Sequence, residues 1–212
     1  MNVRKFAADL GCMKGKILFT GLWLGLLFMV SCEENESLVA DQLYEDGDYE
    51  AAAENYSEYL EMKPFHVKSY YNRGRSYEEL GQYEKALEDF KKVIEIDPKY
   101  IRAYLSIGNQ YYREEDYENA WYYYDMAIKN DNNVAQAYYL RGKANHNLGK
   151  FREALQDYTS ALNIDSELGE AHLYRGAIYI LQNRQRAACQ EFNLARNLNV
   201  EEASEALKKY CN

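Results

Sequence analysis

The sequence predicts an all-α array of stacked two-helix units, and three residue series predict it. Ala40, Gly74, Gly108, Gly142 and Gly176 stand 34 residues apart without insertion or deletion. Ala52, Ala86, Ala120, Ala154 and Ala188 keep the same step, as do the aromatics Tyr56, Phe90, Tyr124, Tyr158 and Phe192. A fixed period of roughly 20 to 50 residues marks a chain whose units each bury an apolar face against the next. Such arrays present a continuous surface on which other molecules are held.

The stretch from Val67 to Tyr100 shows the unit most clearly. Tyr70, Tyr77 and Leu80 follow helical spacing; after Gly81-Gln82 a second helix starts near Tyr83 and carries Ala86, Leu87, Phe90, Val93 and Ile94. It ends at Asp97-Pro98, since proline cannot continue a helix. Gly74 and Ala86 are small so that antiparallel helices approach closely, and Tyr77, Tyr83 and Phe90 fill the space around the contact.

This pattern of a small residue, an aromatic, L-G-x-Y, alanine, phenylalanine and a final D-P resembles the tetratricopeptide repeat (TPR). The resemblance covers five units, 33–66, 67–100, 101–134, 135–168 and 169–202, followed by a capping helix over 203–212. It implies a TPR superhelical solenoid. Asn132, Ser166 and Val200 replace the terminal proline, which predicts looser turns, although Asp131 and Asp165 suit a turn or helix cap. Glu115 and Asn183 replace the inter-helix glycine found at Gly47, Gly81 and Gly149.

Residues 1–31 read as a signal peptide. Ile17 to Val30 is a 14-residue apolar run preceded by Lys14 and Lys16, shorter than the ~20 residues of a membrane span. Met29-Val30-Ser31-Cys32 resembles the lipobox of bacterial lipoproteins, which implies lipidation at Cys32. Glu33-Glu34 resembles the acidic start of many Bacteroidetes lipoproteins, which implies the outer membrane or cell surface. Met13 opens a more regular signal than Met1, because residues 1–12 are long for such a segment and include Asp9. With the first helix starting near Ser37, the tether from Cys32 spans under roughly 20 Å.

The removed segment carries Arg4, Lys5, Lys14 and Lys16 against Asp9, a net +3, so the remainder stands at −12 against the whole chain's −9. That balance argues against nucleic acid as a partner. Most of the 22 tyrosines belong to the core. In Trp121-Tyr122-Tyr123-Tyr124 the outer two occupy buried repeat positions and the inner two reach the surface. Cys189 falls at a core position. The plain reading is a buried thiol there and a frayed one at Cys211; a Cys189–Cys211 bridge pinning the cap is the alternative.

The sequence offers no catalytic, metal or cofactor constellation. His66, His146 and His172 fall at three unrelated repeat positions, and His172 replaces a core aromatic. No histidine pair has metal-ligand spacing, and the glycines serve the repeat rather than a phosphate. The chain therefore reads as a binding protein and not an enzyme.

In the TPR family the first helices line the concave face. Repeat positions 2, 5, 9 and 12 make one helical stripe. In units two to four that stripe gathers Lys68, Tyr71, Arg75, Arg102, Asn109, Tyr112, Tyr139 and Lys143. Cations, an amide and flat rings suit an extended peptide; the competing reading is solvated helix residues paired to nearby glutamates. Ser37–Asp41, Tyr71–Arg75 and Tyr139–Lys143 do not reproduce the Lys/Asn pair with which some TPR proteins clamp a C-terminal carboxylate. Unit five is apolar on the stripe, with Leu173, Ala177, Ile180 and Leu181, so it is either a contact surface or covered by the superhelix or the last helix. The expectation is a lipid-anchored scaffold binding a protein or peptide in envelope assembly or secretion; the alternative is a structural array that self-associates through unit five.

Overall fold

The computed structural model describes residues 30–211, and side chains from Ser37 onward. The predicted signal peptide, up to residue 29, and its predicted start at Met13 lie outside the described residues, and so does the Cys32 side chain. Among the described residues there are eleven helices and no strand, and no helix is long and apolar enough to cross a membrane. Contacts divide the chain into two compact units, residues 1–82 and 83–212.

The first unit holds α1 (Val30–Glu45), α2 (Tyr49–Met62) and α3 (Val67–Glu79). Ala40 on α1 and Ala52 and Tyr56 on α2 are fully buried and form its centre. α1 begins at Val30 instead of near Ser37, so Cys32 lies inside the helix and the expected extended tether is absent.

The second unit holds α4 (Tyr83–Ile96), α5 (Ile101–Arg113), α6 (Tyr117–Asn130), α7 (Ala135–Asn147), α8 (Phe151–Ile164), α9 (Gly169–Leu181), α10 (Gln185–Asn197) and α11 (Glu201–Tyr210). Each packs on the next, and α11 also touches α9. The period has a direct steric cause. A Cβ on Gly108, Gly142 or Gly176 would stand 2.5, 2.7 or 2.6 Å from Cε1 of Tyr124, Tyr158 or Phe192. The aromatic ring lies flat on the space that the glycine leaves.

The short turns also share one geometry. Gly47, Gly81 and Gly149 have φ of 81°, 69° and 72°, and Glu115 and Asn183 follow the same left-handed path at 62° and 57°. Asp48 and Asp116 cap the helices that follow, accepting from the Ala51 and Asn119 amides. The longer turns do not depend on proline. Asp97, Asp131 and Asp165 each accept from the amide two residues on, at 2.9–3.0 Å. The Tyr104 hydroxyl bonds the Pro98 carbonyl, and the His172 ring bonds the Ser166 carbonyl from the same repeat position.

The cap departs from expectation. Asn199 takes φ 63°, a short left-handed turn, and α11 starts at Glu201 instead of 203. Gly169 accommodates that turn: a Cβ there would meet Val200 Cγ2 at 2.6 Å. Cys189 is half-buried instead of sealed in the core, and its sulfur is bonded to that of Cys211. The bridge therefore replaces the plain reading of two thiols. Trp121 and Tyr123 are both half-buried, and Tyr123 stacks on Tyr111 at 5.5 Å; Tyr122 is exposed and Tyr124 fully buried.

Candidate functional site

On the first unit the predicted cations are already committed. Lys68 Nζ donates to Asp41 Oδ2 at 2.6 Å, and Asp41 also accepts from the Tyr56 hydroxyl and the Asn72 amide. Burial alone would raise the Asp41 pKa, but these donors outweigh it and hold it below the usual value. Arg75 lies 3.0 Å from Glu78 and 3.4 Å from Glu79 on its own helix. Tyr71 is half-buried on α3. For Lys68 and Arg75 the reading of helix residues paired to nearby carboxylates is the one that the geometry favours.

On the second unit α5, α7 and α9 bring a different set together. Lys143 Nζ lies 4.7 Å from the centre of the Tyr112 ring and 5.7 Å from those of Tyr139 and Tyr174. Ring faces carry partial negative charge, so the ammonium is held by cation–π attraction. No carboxylate among the described residues forms an ion pair with it, whereas Lys68, Arg75, Lys92, Lys129, Arg141 and Arg175 each have one. Burial pushes the Lys143 pKa down, with the Glu170 carboxylate opposing. Asn147 donates to the Tyr112 hydroxyl at 2.8 Å and fixes that ring. Asn109 is exposed and accepts from the buried Tyr124 hydroxyl at 2.8 Å, leaving its amide protons toward solvent. Arg102 is exposed near the start of α5. Tyr174 stacks on Tyr158 at 5.8 Å, and the His146 ring meets it edge-on at 6.1 Å.

Tyr174 and Asn147 are the members that sequence reasoning missed. Tyr174 sits one position beyond the predicted stripe, where the other units carry Leu38, Asn72, Ser106 and Leu140, so nothing in the repeat marked it. Two buried ion clusters were missed as well. Arg141 bonds Asp157 and Asp125, and Asn145 donates to Asp157. Arg175 and His172 both bond Glu191, at 2.9 and 2.7 Å. One sequence signal existed: position 7 carries arginine where position 23 carries an acid, at Arg73/Asp89, Arg141/Asp157 and Arg175/Glu191, and both change together at Ile107/Tyr123. These clusters hold helices together and expose little that could meet a ligand.

In unit five Leu173, Ala177 and Ile180 are half-buried, and Leu181 is 58% exposed. Lys209 and Tyr210 at the end of α11 share a shallow recess with Ile180. The last helix thus covers part of the apolar stripe. Among the described residues no group of His, Cys, Asp and Glu side chains could hold a metal ion.

The tetratricopeptide repeat family model matches residues 67–100 and 135–168. The chain carries tetratricopeptide repeats. No curated protein matches the sequence. Among solved structures, MamA aligns with a TM-score of 0.69 at 23% identity, over 78% of this chain and 97% of MamA. YrrB, described as a TPR protein with an unusual peptide-binding site, aligns at 0.67 and 21% identity, over 86% and 97%. PilF of Pseudomonas aeruginosa aligns at 0.71 and 15% identity, over 79% and 77%. At these identities the likeness is one of fold: a solenoid of helix-turn-helix repeats, the scaffold of TPR proteins. TPR proteins bind protein or peptide partners and are generally non-enzymatic.

Proposed function

We propose that this TPR protein is a lipid-anchored scaffold of the bacterial envelope that captures an extended acidic segment of a partner on the stripe of α5, α7 and α9. One observation carries the reading. Lys143 is a half-buried ammonium among three tyrosine rings, and no carboxylate among the described residues stands within ion-pair distance of it. A ligand carboxylate supplies that partner as a charge-assisted bond, while the rings pack its backbone and Arg102 meets a second acid. The unusual peptide-binding site described for YrrB supports the class of ligand, though not its sequence.

The test is fluorescence anisotropy with a labelled acidic decapeptide on the mature chain. Lys143→Ala should weaken binding by about tenfold, in line with a charged hydrogen bond of ~1.5–3 kcal/mol, and Arg102→Ala by less. Lys68→Ala should leave it unchanged, because that cation serves Asp41. Equal affinity of wild type and Lys143→Ala overturns the reading.

The anchor is tested apart from the peptide site. A Cys32→Ser precursor should fail to incorporate a clickable fatty acid, and labelling that persists would place the lipid elsewhere. A second reading, self-association through unit five, is favoured by the exposed Leu181 and Leu194. It predicts a mass that rises with concentration in sedimentation and falls for Leu181→Glu.

A further inference from the structure

Cys189 lies in the second turn of α10, and Cys211 directly follows α11. Their sulfurs are bonded, with Cα atoms 5.8 Å apart. The bond therefore holds the far end of α11, while the short turn at Asn199 holds its start. The rest of the hold on α11 is thin. Ala203 is its one fully buried residue; Ala206, Leu207 and Tyr210 are half-buried. The Tyr210 ring stacks on Phe192 at 6.3 Å, and the Gln185 side chain donates to the Tyr210 carbonyl. Val200 supplies no side-chain cap, and a helix of ten residues is too short to persist alone. Both cysteines are half-buried, so the bond is within reach of a small thiol.

We propose that the Cys189–Cys211 bond is a thiol–disulfide exchange site, a clasp that keeps α11 on α10 when oxidised and releases it to a dithiol reductant. One thiolate of the reductant attacks a protein sulfur, and the other cysteine leaves as a thiolate and takes up a proton. The second thiolate of the reductant then displaces the remaining protein sulfur. Two cysteine thiols and one cyclic disulfide result, two electrons having passed from the dithiol to the protein. Release takes Lys209 and Tyr210 away from the recess that they share with Ile180. The clasp does not rest on the peptide reading above.

Hydrogen–deuterium exchange on the full chain, oxidised and in dithiothreitol, tests the clasp. On reduction the amides of 201–211 should exchange about a hundredfold faster, the constraint lost when a loop of this length opens. The amides of 117–164 should keep their protection, and reoxidation should restore the cap. Cys211→Ser should show the fast cap without reductant. Equal protection of 201–211 in both states overturns the proposal, and so does a loss spread evenly over α6 to α11, which would make the bond a staple of the whole unit. Peptide anisotropy run alongside separates the two ideas. An unresponsive cap with intact peptide binding sinks the clasp alone; a responsive cap on a chain indifferent to Lys143→Ala sinks the peptide reading alone.

Discussion

Gly142 is small because the Tyr158 ring occupies the place of its Cβ, with Cδ1 at 2.9 Å as well as Cε1 at 2.7 Å, and the Asp157 Cβ adds a third contact at 3.2 Å. The ring is fully buried and cannot retreat, so Gly142→Ala should cost about 1–3 kcal/mol, read as a lower melting temperature. This much was legible from the sequence, because a steric rule repeats wherever the unit repeats. The buried charges were not. Arg175 and Glu191 look like any solvated helix residues until the helices are packed, and His172 was legible only as core. Burial pushes the Glu191 pKa up, but the His172 and Arg175 bonds outweigh it and hold the carboxyl below its ordinary 4.5. A depressed folded value means stability that is present above pH 4.5 and lost as pH falls below it. Glu191→Gln should therefore flatten the stability profile below that pH. At pH 7 it should cost about 3 kcal/mol, since Arg175 is left buried with one charge fewer beside it. Urea melts across pH 3 to 7 check both; an unchanged slope below pH 4.5 would remove Glu191 from the acid response.

Helix phase was readable to the residue in the middle of the chain, since α3, α5, α7 and α9 start at Val67, Ile101, Ala135 and Gly169. The last helix escaped it: α11 starts at Glu201, ahead of the repeat phase, because Asn199 turns the chain early, and the Cys189–Cys211 bond fixes the result. The short turns show how little the consensus glycine decides. A left-handed residue with a side chain is strained by about 1 kcal/mol, which packing on either side overrides. Glu115→Gly should recover that amount as a higher melting temperature, because Glu115 is exposed and holds φ 62°. Asn183→Gly should recover less, as asparagine tolerates this region better. The disulfide belongs to the same scale. Closing a loop over a sequence separation of 22 stabilises by about 3 kcal/mol in the chain-entropy account, comparable to what so few buried side chains of α11 supply.

At the scale of the whole molecule, charge was counted correctly but its local use was not legible. The sequence placed four cations on one stripe, yet ion pairing depends on rotamers and neighbours, and two of the four are paired, Lys68 with Asp41 and Arg75 with Glu78 and Glu79. What survives is one half-buried ammonium, Lys143, with the exposed Arg102, on a chain of net charge −9 that is more acidic still without its first residues. These two facts act over different distances. The pairing of a ligand carboxylate with Lys143 is short and partly desolvated, so salt screens it weakly. The repulsion between that ligand and the acidic surface runs over many ångströms and is screened strongly, because the Debye length falls from about 30 Å at 0.01 M to about 8 Å at 0.15 M. Affinity for an acidic decapeptide should therefore rise, by a few-fold, as salt goes from ~0.01 to ~0.15 M. Binding carried by exposed cations such as Arg102 would weaken over the same range. Anisotropy titrations at the two ionic strengths decide it, and a fall in affinity for wild type that Arg102→Ala abolishes would move the anchor from Lys143 to the exposed guanidinium.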